Sequence, residues 1–159
     1  MLAACTSGPL QTSPPVSHGT TSKLSDHLHL DQTRVVAGKS VNGDLIVYNP
    51  GSTINLSKGC TPQLFVELNR GSFHQAIPVA TACEAGPPLT VHHGTTMFPV
   101  SVGTTYNICS QSPPYSVTLP RCLGSDPPPL PVGTYMAKAF WAGTVPLPAP
   151  KEVALTLVG

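Results

Sequence analysis

At 159 residues the chain has room for one ordinary domain and a tail. Only 9% of its residues are charged, against about 25% in average soluble proteins, and the formal net charge is +1. This balance excludes the basic footprint of a nucleic-acid-binding protein and a polybasic membrane patch, and no stretch reaches the roughly 20 apolar residues of a transmembrane helix. The 19 prolines are more than twice the average usage of about 5%. They oppose long helices and favour turns and edge segments.

The first part of the chain carries no fold signal. Thr6 to Gln32 is rich in Ser, Thr, Pro, Gly and His, and Pro14-Pro15 and Ser17–Ser22 show no apolar periodicity. Such a stretch cannot bury enough surface to offset chain entropy, so residues 1–33 are expected to form a disordered tether. Leu24, Leu28 and Leu30, with His27 and His29, fall inside it.

From Arg34 the pattern changes to period two, the strand signal. Arg34–Ala37 is short. In Val41–Tyr48, Val41, Leu45 and Val47 share one parity with Gly43 between them, and Asn49-Pro50-Gly51 ends the run in a turn. Ile54–Leu56 is brief. Leu64, Val66 and Leu68 alternate, with Phe65 on the other face, before the turn Arg70-Gly71-Ser72. Gln75–Cys83 contains Pro78, which makes it an edge or irregular segment. Leu89–His92, Thr96–Val102, Thr104–Cys109 and Tyr115–Leu119 follow as short strands. Leu123–Val132, with Pro127-Pro128-Pro129, is a stiff connector. Gly133–Trp141 and Lys151–Val158 close the chain as strands. Tyr135, Trp141, Val153, Leu155 and Leu157 are placed on the core side. Short strands about ten residues apart indicate a β-sandwich or barrel.

The five cysteines are Cys5, Cys60, Cys83, Cys109 and Cys122. Four lie in the β-rich part and allow three pairings. The sequentially local one, Cys60–Cys83 with Cys109–Cys122, is expected, each closure adding on the order of 3 kcal/mol in the chain-entropy model. The competing reading is a zinc site, but there is no Cys-x-x-Cys pair and the spacings are long. The fifth cysteine stands in Leu2-Ala3-Ala4-Cys5, which resembles the lipobox of bacterial lipoproteins, where the cysteine receives the lipid. A lipobox follows a basic and then an apolar region, and only Met1 precedes Leu2 here.

The segments Gly43–Asn49 and Leu130-Pro131-Val132-Gly133-Thr134-Tyr135 give residues 34–159 a further resemblance. The Gly-Thr-Tyr opening of a penultimate strand after a proline-rich loop is similar to secreted immunoglobulin-like or fibronectin-like bacterial domains, including those of actinobacterial envelope lipoproteins. The resemblance implies an immunoglobulin-like antiparallel β-sandwich and brings no catalytic residues. The antibody-type order of cysteine, tryptophan and cysteine is absent, because Trp141 follows every cysteine.

The chemistry-bearing residues are sparse. His27-x-His29, His18 and the adjacent pair His92-His93 are the candidate metal ligands, but adjacent strand residues point to opposite faces. No Gly-x-Ser-x-Gly elbow and no phosphate-cradling glycine loop occurs. Tyr48, Phe73, Tyr115 and Phe140 are candidate recognition aromatics if their faces point outward. The expectation is therefore a non-enzymatic, extracytoplasmic module without cofactor. It is monomeric, anchored to the membrane by lipid at Cys5 or secreted, and bound to a protein or envelope component. A proteinase inhibitor presenting Asp126–Val132 or Gly86–Leu89 is the alternative, and metal capture by the histidines a third.

Overall fold

The longest alternation in the sequence builds the central strand of one sheet in the computed structural model, which describes residues 24–56, 63–75, 89–113, 118–141 and 147–159. The described residues contain β1 (Ser25–Leu30), β2 (Arg34–Val36), β3 (Ser40–Asn49), β4 (Ile54–Asn55), β5 (Leu64–Arg70), β6 (Phe73–His74), β7 (Thr90–Val91), β8 (Gly94–Gly103), β9 (Gly133–Trp141) and β10 (Val153–Val158), and no helix. One sheet runs β1-β3-β8 and the other β2-β10-β9-β5-β6, while β4 and β7 pair separately. All pairs are antiparallel except β2 with β10.

The period-two pattern puts one parity of each strand inside. Leu28, Leu30, Val41, Val100 and Val102 of the first sheet pack against Leu68, Tyr135, Ala137, Ala139, Leu155 and Leu157 of the second. A smaller cluster around Leu45, Val47 and Val91 takes in Phe98, Trp141 and Leu147 at one end. The fold is the expected immunoglobulin-like β-sandwich. Its first strand is split: β1 pairs β3 in one layer, and β2 pairs β10 in the other.

That split corrects the expected tether. Ser25–Leu30 is a six-residue strand within residues 1–33. Leu28 and Leu30 are core residues, and His27 and His29 take the outer face of β1. The stretch is too short to show a period by itself, and pairing with β3 supplies its order. Cys5 and His18 lie outside the described residues, as do Cys60, Cys83, Tyr115 and most of Gln75–Cys83. A second correction concerns Thr104–Cys109, expected as a strand. It makes only the isolated bridge Thr105↔Pro129, because Thr104 is committed elsewhere. The Thr104 hydroxyl donates to Lys39 O (2.5 Å) and accepts from Gly38 N (2.8 Å), and Leu130 N donates to Thr104 O (2.9 Å).

Near the start of β9 the buried Tyr135 donates its hydroxyl to Pro131 O at 2.8 Å. This is the tyrosine corner of immunoglobulin-like sandwiches. The Arg70 guanidinium lies 5.6 Å from the centroid of the Tyr135 ring and donates to Val132 O at 3.0 Å. Gly133 sits beneath it at φ +145, where a Cβ would overlap the guanidinium. Tyr135→Phe should therefore cost about 1 kcal/mol, the net worth of one such bond, read as a lower urea midpoint at unchanged m-value. An unchanged midpoint would show that the hydroxyl does not hold the corner.

Asn49 and Gln75, buried polar residues like Thr104, are also satisfied. Asn49 accepts from Gly51 N (2.9 Å) and donates to Ser52 O (2.8 Å), which makes Asn49-Pro50-Gly51 an Asx turn. Gln75 accepts from Leu68 N (3.2 Å) and donates to Gly103 O (3.1 Å) and Thr105 O (2.7 Å), tying β5 to the end of β8.

Candidate functional site

The connection from β8 to β9 leaves the sandwich and returns as a braced excursion. A disulfide joins Cys109 to Cys122 across a sequence separation of 13. Its two limbs are further held by Ser110 N donating to Pro120 O (2.8 Å) and Cys122 N to Ser110 O (3.1 Å). Just after Cys122, Leu123 and Asp126 exchange backbone hydrogen bonds around Gly124, whose φ of +66 suits a turn glycine. Ile108 and Leu123 stay 50% and 65% exposed on this frame.

Beside it stands the hairpin of β5 and β6. Gly71 takes φ +59 at the first position of the two-residue loop, the conformation a II′ hairpin requires there. The hairpin and the excursion enclose a cleft of about 230 Å³, lined by Phe73 and His74 on one side and by Tyr106, Asn107, Ile108 and Pro120 among the residues of the other. Phe73 meets Tyr106 edge to face at 5.7 Å and Tyr135 at 6.1 Å, so one wall of the cleft is keyed to the core.

His74 is oriented by its strand partner. Asn69 pairs with His74 across the hairpin. Asn69 Nδ2 donates to Glu67 Oε1 (3.0 Å), and Asn69 Oδ1 lies 3.0 Å from His74 Nδ1. A carboxylate only accepts, so the Asn69 amide must turn its NH2 to Glu67 and its oxygen to His74. Nδ1 is then the donor, and the neutral ring carries its lone pair on Nε2.

The sequence-stretch candidates are scattered rather than gathered. His27 and His29 are exposed on β1, with Asp44 across from His29. His92 and His93 are exposed before β8, where His93 Nδ1 contacts Gly51 O at 2.8 Å. Among the described residues no three His, Cys, Asp or Glu side chains are placed to hold a metal. Tyr48 is 51% exposed, while Phe140 is half-buried and stacked on Phe65 at 5.8 Å. Asp126–Val132 is pinned: Tyr106 N donates to Pro128 O (2.9 Å), and Leu130 is buried. Of Gly86–Leu89 only Leu89 is described, and it is buried. His74 and Asn69 had no signal of their own, although counting outward from the turn Arg70-Gly71-Ser72 pairs 70 with 73 and 69 with 74.

One charge points inward. Asp26 lies on the core parity of β1, and its Oδ2 and the Trp141 Nε1 are buried without a protein hydrogen-bond partner. Burial pushes the Asp26 carboxyl above its ordinary value of 3.8, with the neighbouring His27 opposing. The folded state thus holds this proton more tightly than the unfolded chain. The linked stability is fully present below pH 3.8 and is lost as pH rises through the raised value. Asp26→Asn should abolish that loss, so the variant gains stability at pH 7 and the gain vanishes near pH 3. Urea midpoints of both proteins across this range check it; parallel pH profiles would refute it.

The chain matches no known protein-family model and no curated protein.

Proposed function

We propose that this chain is a non-enzymatic, extracytoplasmic binding module, held at a membrane by lipid on Cys5, with the braced excursion and the β5–β6 hairpin as its contact surface. The observation that carries the reading is the pairing of a cleft with exposed apolar side chains, Ile108 and Leu123, on a frame that a disulfide keeps rigid. Rigid presentation lowers the ordering cost of association. A disulfide suits an oxidising compartment, and Leu2-Ala3-Ala4-Cys5 supplies the motif for an anchor.

The test uses the full oxidised chain with isolated cell envelopes of the source organism. Saturable binding is expected, and Ile108→Asp/Leu123→Asp should weaken it at least about tenfold at unchanged circular dichroism; about 1.4 kcal/mol is tenfold. No saturable binding, or equal binding by the double variant, would count against the reading. Proteinase inhibition is the second reading, favoured by the 65% exposure of Leu123 at a disulfide-braced turn. Inhibition of a protease in a panel, lost on Leu123→Asp, would select it.

A further inference from the structure

We infer that the cleft between the β5–β6 hairpin and the excursion is a subsite for one neutral, hydroxyl-bearing ring of saccharide type, read by Nε2 of His74. This rests on the binding-module reading above and gives it a ligand class.

Four features lead there. Among the described residues no Asp, Glu, Lys or Arg lines the cleft, so a charged ligand would be desolvated there without a counter-charge, which is costly. Ser72, His74, Asn107 and Thr118 are the polar residues of the lining, and His74 among them offers an acceptor. Glu67 and Asn69 hold Nδ1 as the donor, and the nitrogen left for a ligand is Nε2 with its lone pair. The matching ligand group is a hydroxyl or another neutral donor. The opposite wall sets the apolar and aromatic Tyr106, Ile108, Leu119 and Pro120 beside the polar Asn107 and Thr118, with Phe73 adjoining. A pyranose has this two-sided character, with C–H bonds across its faces and hydroxyls around its rim. Finally, about 230 Å³ falls below the roughly 300–1,000 Å³ of pockets for drug-sized ligands, which points to one ring.

The relay makes a distinctive demand on the sequence. Asn69 has no place in the cleft lining, yet it sets which His74 nitrogen accepts. It is a positioning residue, and its loss should alter the ring tautomer without removing the ring.

The experiment is a titration of the full, oxidised, ¹⁵N-labelled chain with methyl glycosides of glucose, galactose, mannose and N-acetylglucosamine, followed by amide and histidine-ring ¹⁵N spectra. At least one should give saturable shifts centred on Phe73, His74, Tyr106 and Ile108. His74→Phe should weaken that binding at least about tenfold. Asn69→Leu should weaken it less and move the His74 ring signals toward a mixture of tautomers. Native-like spectra of both variants exclude a folding defect. Absence of saturable shifts with every glycoside, or equal binding by His74→Phe, overturns the inference. If envelope binding persists while the glycosides fail, the inference alone falls. Saccharide shifts without envelope binding uphold it and overturn the envelope reading instead.

Discussion

Gly43→Val is expected to lower the unfolding free energy by about 3 kcal/mol, the upper end of the usual cost of overpacking. Gly43 lies at the inner face of β3, where the first strand leaves one sheet for the other. A Cβ there would overlap the His29 carbonyl oxygen and come within 3.0 Å of Leu30 Cα. Both obstacles are backbone, so neither can turn aside as a side-chain tip could. The end of β1 would have to lift, and Leu28 and Leu30, each 5% exposed, would lose cover. Full burial of one such side chain is worth about 1.5–3 kcal/mol. Hydrogen exchange should show β1 amides unprotected while β9 and β10 keep their protection. Gly103 is the control, since nothing lies within 4 Å of its Cβ position and its φ is not positive. If Gly43→Ala is as stable as Gly103→Ala, the close crossing is not a constraint.

Removal of the Cys109–Cys122 disulfide by Cys109→Ala/Cys122→Ala should cost about 3 kcal/mol, the chain-entropy value for a loop of this length. The cost should fall on the excursion. Among the described residues, its limbs between Asn107 and Pro120 contribute none to the main core cluster, which draws Tyr106 and Leu130 from this connection. The sandwich spectrum should therefore survive while Ile108, Leu123 and the far wall of the cleft lose their fixed positions. Binding to envelopes should weaken more than global stability predicts. A variant that binds normally would place the contact surface elsewhere. One that loses all native structure would show that the sandwich depends on the bridge.

Much of the scaffold was legible because strand burial has a period of two. Of the residues that parity places on the core side, Tyr135, Leu155 and Leu157 are buried and Trp141 and Val153 half-buried, and Val41, Leu45 and Val47, which share one parity, are buried together. β1 escaped because six residues with two histidines resemble a polar tail until β3 pairs with them. Thr104–Cys109 was misplaced for the opposite reason. Its alternation is real, but Thr104 satisfies the β2–β3 turn and Tyr106 bonds across to Pro128, so no ladder can form.

The candidate site was far less legible. His74 is an ordinary polar residue in sequence, and only cross-strand pairing sets it against Asn69 and, through it, Glu67. Nothing local brings a hairpin ending at Gln75 against a limb around Ile108, because that approach depends on how β8 and β5 sit in different sheets. The amino-acid order by itself thus determined the all-β class and the long strands β3, β5, β8, β9 and β10, since these follow from side-chain alternation and turn chemistry. Only the tertiary structure decided where the first strand changes layers, what the disulfide-clamped limbs stand against and which nitrogen of His74 meets Asn69. These depend on contacts between residues far apart in the chain, and such contacts leave no local period to read.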